Sequence, residues 1–211
     1  MLSSIDYTEK ELEIINSKLN EHGFNSDTWS DVDIEKIKNR IKKHYIEKQK
    51  YRCPYCKQKT KSKNGKLWDI EHIIPRKTAP QFMFEPKNLC ASCIECNNFK
   101  SDKKVTSSKA VKTYPTQSRL FSIIHPHFDI YEEHILVVKE GFYYVALKKK
   151  GAKTIEVCNL NRFYEFSEFG ACVQDDDRIF LLSEQLRKTK DVTTKKQIRK
   201  EIAVLAIKGA V

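Results

Sequence analysis

Glu71 and His72 are the residues of this chain best suited to chemistry on an anion, since an imidazole can take a proton from water while a neighbouring carboxylate holds a metal ion. They stand inside a frame of cysteines. Cys53 and Cys56 are three positions apart, as are Cys93 and Cys96, a spacing that lets each pair present two sulfurs to one ion. Two such pairs make a tetrahedral thiolate cage with no open coordination position, so the zinc they imply is structural and does no catalysis. Two disulfides would use the same residues, but nothing at the N-terminus resembles a secretion signal, and the spacing favours zinc. The segment between the pairs is longer than a compact zinc ribbon needs, and so holds structure of its own.

Leu67, Trp68, Ile70, Ile73 and Ile74 are apolar and Pro75 ends the run, which predicts a strand carrying Glu71 and His72. Adjacent residues on a strand face opposite sides. A carboxylate and an imidazole serving one centre therefore need a strand end or a distorted loop, which Pro75 can supply. Taken alone, the pair also reads as an ordinary surface contact. Asp69 reads equally as a supporting carboxylate or a strand-face salt bridge, and Cys90, outside the paired spacing, as a small buried residue.

The order CxxC, Asp69-Ile-Glu-His-Ile-Ile-Pro75, Asn88-Leu89, then Cys93-x-x-Cys96-Asn97-x-x-Lys100 resembles the HNH endonuclease family over about a quarter of the chain. The resemblance implies a ββα-metal core, with a divalent ion between a hairpin and a helix. By position, His72 matches the general base, Glu71 and Asn97 the ligands of the ion, and Asn88 the residue that braces the loop and orients the histidine. Many relatives have Asp or His where Glu71 stands, and others have His at Asn97. Both residues offer oxygen, which favours Mg²⁺ or Mn²⁺. Lys100 is expected either at a substrate phosphate or as a solvated lysine.

Around this core, Leu12, Ile15 and Leu19 predict a packing helix over Thr8 to Asn20, and Ile34, Ile37, Ile41 and Tyr45 predict one face of a second. The other face of the second helix carries Lys36, Lys38, Arg40, Lys42 and Lys43, either a solvated surface or a track for a nucleic-acid backbone. Asn64-Gly65 predicts a tight turn, and Phe82, Met83 and Phe84 an anchored loop. Further on, Ile135–Val138 and Phe142–Leu147 predict a hairpin turning at Gly141, with another strand at Thr154 to Val157, and two closing helices follow around 177–188 and from Thr194. Cys158 and Cys172 read as core residues, and His125, His127 and His134 as structural or surface histidines.

The expectation is an α+β chain: an N-terminal helical segment (1–50), a ββα-metal core with a four-cysteine zinc clasp (51–105), and a C-terminal α+β extension (106–211). A net charge of +11 suits a polyanionic partner, with nucleic acid, and DNA before RNA, as the substrate class. The apolar runs are far short of a membrane span, and a cytoplasmic location is expected. Pro126-His-Phe-Asp129 and the Thr154 to Asn161 stretch loosely resemble HNH proteins of bacterial anti-phage systems such as Septu and certain retrons. That likeness implies a defence effector restrained by an ATPase partner. Two other readings remain: a zinc-stabilised nucleic-acid-binding module that does not cut, and an HNH nuclease that cuts RNA such as tRNA.

Overall fold

A computed structural model describes residues 1–60, 65–109, 112–162 and 175–208. The chain divides into two compact units, Met1–Ile130 and Tyr131–Val211. Asn64 of the expected turn, and Cys172, lie outside the described residues.

In the first unit, α1 (Glu9–Leu19) starts at Thr8, whose hydroxyl and the Glu11 carboxylate exchange hydrogen bonds with each other's backbone amides in a capping box. Two 3₁₀ turns, Ser26–Ser30 and Val32–Ile34, lead into α2 (Glu35–Lys48). Its expected apolar face is buried through Ile37, Ile41 and Tyr45, with Ile34 just before it. On the basic side, Arg40 turns back to pair with Glu11 and lies 6.0 Å from the Tyr7 ring. That cation is spent in holding α1 to α2.

Strand β1 (Trp68–His72) runs antiparallel to β2 (Leu89–Cys93), with Trp68 opposite Cys93 and His72 opposite Leu89. Helix α3 (Ile94–Lys100) follows β2 directly and stops at Ser101, whose φ of 47° lies in the left-handed region. It is three residues shorter than the expected run to Lys103. Together these elements form the predicted ββα unit. The outer side of β2 is covered by side chains: Gln49 donates to Ala91 O at 2.6 Å and accepts from Ala91 N–H at 2.9 Å, and His127 Nε2 lies 2.8 Å from Leu89 O. Residues 106–130 are closed on themselves by the Thr106–Phe121 bridge and reach this unit through His127. His125 and His127 are both buried.

In the second unit, β3 (Ile135–Lys139) and β4 (Tyr143–Ala146) form the expected hairpin, with Gly141 at φ 74° in its turn. The strand expected at Thr154 to Val157 is instead the end of α4 (Lys149–Val157). Its β-branched residues are overridden by packing: Gly151, Thr154 and Val157 recur on one buried helical face, and the Thr154 hydroxyl is taken up by Lys150 O at 2.8 Å. Gly151 makes the close approach possible. A Cβ there would stand 1.9 Å from His134 O. Helices α5 (Asp175–Lys188) and α6 (Val192–Lys208) then close a core of Tyr143, Val145, Leu182, Ile198 and Leu205. Cys158 is buried as expected. Among the described residues no helix is long and apolar enough to cross a membrane.

Candidate active site

The clasp is assembled from three elements. Cys53 and Cys56 sit on a knuckle just beyond α2, closed by Lys57 N–H to Cys53 O and Cys53 N–H to Gln58 O. Cys93 ends β2, and Cys96 lies in the first turn of α3. All four sulfurs fall within 4.8 Å of one another, and Cys56 and Cys93 are 3.8 Å apart. A tetrahedral ion with Zn–S bonds of about 2.3 Å requires sulfur–sulfur edges of about 3.8 Å. The donor set and its size fit a structural zinc, and the ion would fasten α2, β2 and α3 together. Cys90 is buried apart from this group.

Tyr55, on the same knuckle, reaches the face of the hairpin that carries Glu71, where its hydroxyl donates to Glu71 Oε1 at 3.0 Å. The Lys100 ammonium lies 2.6 Å from the same oxygen and also donates to His72 O at 2.9 Å. Lys100 is fully buried, so its charge serves the interior of the site rather than a phosphate in solvent. Burial raises the Glu71 carboxyl above its ordinary range, against the opposing pull of Lys100 and Tyr55. On the same face of β1, Asp69 Oδ2 accepts a hydrogen bond of 3.0 Å from Asn97 Nδ2. A carboxylate only accepts, so the Asn97 amide must turn its NH₂ to Asp69 and its oxygen away. Among the described residues, Glu71 Oε2, Asp69 Oδ1 and Asn97 Oδ1 are left uncommitted.

Asn88 ties the loop beyond β1 to the loop before β2. Its Oδ1 accepts from Ile74 N–H at 2.7 Å, and its Nδ2 donates to Ile74 O and Phe82 O at 3.1 and 3.0 Å. Phe82, Met83 and Phe84 are all buried, as expected of an anchored loop. The Met83 carbonyl is thereby fixed 3.1 Å from His72 Nε2, and the Trp29 ring stands edge-on to the imidazole at 4.5 Å. Burial pushes the His72 pKa down to about 3, helped by the positive Arg76 and Lys100 and opposed by the Met83 hydrogen bond. The imidazole is neutral at physiological pH.

Asp69, Glu71, His72 and Asn97 line one cleft of about 520 Å³. Its walls carry Trp29, Lys38 and Lys42 from the N-terminal region and Arg76 and Lys77 from the loop after β1. Carboxylates, amide and imidazole thus share a floor bordered by cations. Residues 53–103 match the HNH endonuclease family. The chain is also 30% identical to the Septu protein PtuB of Bacillus thuringiensis over 124 residues, 58% of this chain and 41% of that protein. The chain therefore spans less than half the length of this relative. No solved structure matches it.

The HNH segment begins at the first clasp cysteine and ends just beyond α3, so it contains the hairpin and the clasp but neither Trp29, Lys38 nor Lys42. Sequence reasoning left Asp69 undecided and did not single out Trp29 or Tyr55. Strand parity could have found Asp69, which lies two residues from Glu71 and so on its face. No local signal marks Trp29, whose partner is 43 positions away.

Proposed function

We propose that this chain is a metal-dependent HNH endonuclease that hydrolyses phosphodiester bonds in DNA, with His72 as general base and a Mg²⁺ or Mn²⁺ ion held by Glu71 and Asn97. The observation that carries the reading is the hydrogen bond between His72 Nε2 and Met83 O. A carbonyl only accepts, so Nε2 keeps its proton and Nδ1 bears the lone pair. Nδ1 takes the proton of a water whose oxygen bonds to phosphorus, while the bond from phosphorus to the leaving sugar oxygen breaks and that oxygen takes a proton from solvent. Asn88 holds this geometry by pinning both loops around the imidazole.

The uncommitted oxygens of Glu71, Asn97 and Asp69 are hard donors, which suit Mg²⁺ or Mn²⁺. When bound, the ion supplies positive charge against the negative charge that grows on the phosphate. Lys38, Lys42, Arg76 and Lys77 on the cleft walls attract flanking phosphates, the role first expected of Lys100. Similarity to a Septu protein supports extending the proposal to anti-phage defence, with this nuclease as the effector and a partner ATPase restraining it. The site residues argue against a module that binds without cutting.

The test is incubation of the purified protein and its His72→Ala variant with plasmid DNA and bulk RNA, with Mg²⁺ or Mn²⁺ or with EDTA. Metal-dependent cutting of DNA that His72→Ala loses is expected. Cutting of RNA alone would change the substrate, and cutting retained by His72→Ala would remove the proposed base.

A further inference from the structure

We infer that the 3₁₀ segment Ser26–Ser30, outside the HNH match, is a positioning element of the catalytic cleft, and that Trp29 is the positioning residue for His72. The inference rests on the nuclease reading of the site. Three contacts run from this short segment to three cleft residues. The Trp29 ring stands at 83° to the His72 imidazole, with centroids 4.5 Å apart, and its other neighbour is Phe84 at 5.6 Å. The Trp29 carbonyl accepts from Lys38 Nζ at 3.1 Å, and the Ser26 carbonyl accepts from Arg76 Nη1. Base and cations are thus held by one piece of chain.

Alone, the Met83 hydrogen bond leaves the ring free to turn about its Cβ–Cγ bond, a motion that carries Nε2 off the carbonyl and releases the tautomer. The indole removes that freedom. It packs against the ring and against Phe84, next in sequence to Met83, so the contact and the hydrogen bond are braced by the same loop. Edge-to-face packing of this kind is directional, and an aliphatic side chain of similar bulk does not reproduce it. The segment itself is held in shape by Asn25, whose side chain accepts from Asp27 N–H at 2.7 Å.

Trp29→Ala should lower kcat on a cleaved plasmid substrate about 10- to 100-fold, the scale of a small misplacement of a reacting group, with KM changed less than about 3-fold. Trp29→Phe should recover most of that loss and Trp29→Leu should not. Zinc content and thermal midpoint should stay near those of the parent in Trp29→Phe. A readout independent of turnover is the tautomer of His72 by long-range ¹H–¹⁵N correlation at neutral pH. The parent should show a single Nε2–H form and Trp29→Ala a mixture. A kcat of Trp29→Ala equal to the parent's, recovery by Leu as full as by Phe, or a locked tautomer in Trp29→Ala would overturn the inference. If His72→Ala also keeps parental activity, the nuclease reading has failed. If only the Trp29 variants do, this inference alone has failed.

Discussion

Lys100→Ala should be among the most damaging single changes in the first unit, although the lysine touches no solvent. In the native protein its ammonium lies 2.6 Å from Glu71 Oε1, with the two side chains 0% and 3% exposed. With an effective dielectric constant near 20, that separation corresponds to about 6 kcal/mol of attraction before desolvation. Most of this gain offsets the cost of burying two charges, so the pair adds little over an apolar replacement. Removing one partner is different, because it strands a carboxylate with the Tyr55 hydroxyl and leaves the His72 carbonyl without its donor. Such losses cost about 3–5 kcal/mol. With a urea slope of about 2 kcal/mol/M, the midpoint of the zinc-loaded protein should fall by about 1.5–2.5 M. In Lys100→Met, adding Glu71→Gln should restore a good part of the loss by removing the stranded charge. A Lys100→Ala shift below about 1 kcal/mol, or a double variant no more stable than Lys100→Met, would refute the assignment of Lys100 as the internal counter-ion.

Cys56→Ser or Cys93→Ser should lose bound zinc and become sensitive to proteolysis, because metal binding supplies folding free energy; metal analysis with limited proteolysis checks this, and a zinc-free chain as resistant as the parent would contradict it. Gly151→Ala should destabilise the second unit by about 3 kcal/mol, since its Cβ would meet the His134 carbonyl at 1.9 Å; thermal unfolding measures it, and an unchanged midpoint would show that α4 does not pack this closely. Acid should destabilise the first unit through His72. Its folded-state pKa of about 3 lies below the unfolded value of about 6.5, so the unfolded chain takes up the proton first. Stability held above pH about 6.5 is then lost progressively towards pH 3, and His127, also lowered by burial, adds to the trend. Midpoints from pH 7 to 4.5 should fall less steeply in His72→Asn, and parallel curves would count against a buried neutral imidazole.

The parts of the site legible in the sequence are those in which one residue type at one spacing has a single physical use. The cysteine pairs are of that kind, and so is the apolar face of α2, where Ile37, Ile41 and Tyr45 are buried as their spacing requires. Asn88 was legible through resemblance, and its three loop bonds give that resemblance a mechanical meaning. Lys100 was not, because a lysine on a basic chain reads as solvated until a buried carboxylate is found beside it. Thr154 to Val157 misled for a related reason. β-branched residues favour strands only weakly, and the fit of Gly151 against a carbonyl decided the matter from a distance. Trp29 and His72 meet through chain folding alone, which no local pattern encodes.

The covering of the small hairpin has a consequence for how the protein behaves in company. A two-stranded ribbon ordinarily offers backbone groups on both sides to any extended chain that drifts past. Here Gln49 occupies both groups of Ala91, His127 occupies the Leu89 carbonyl, and on the opposite strand Lys100 occupies the carbonyl of His72. Side chains thus stand where a third strand would add beside β2, and Lys100 takes one carbonyl of the β1 edge. The β2 edge is closed to recruitment of neighbours, and an extended chain in a crowded solution of this basic protein finds no template along it.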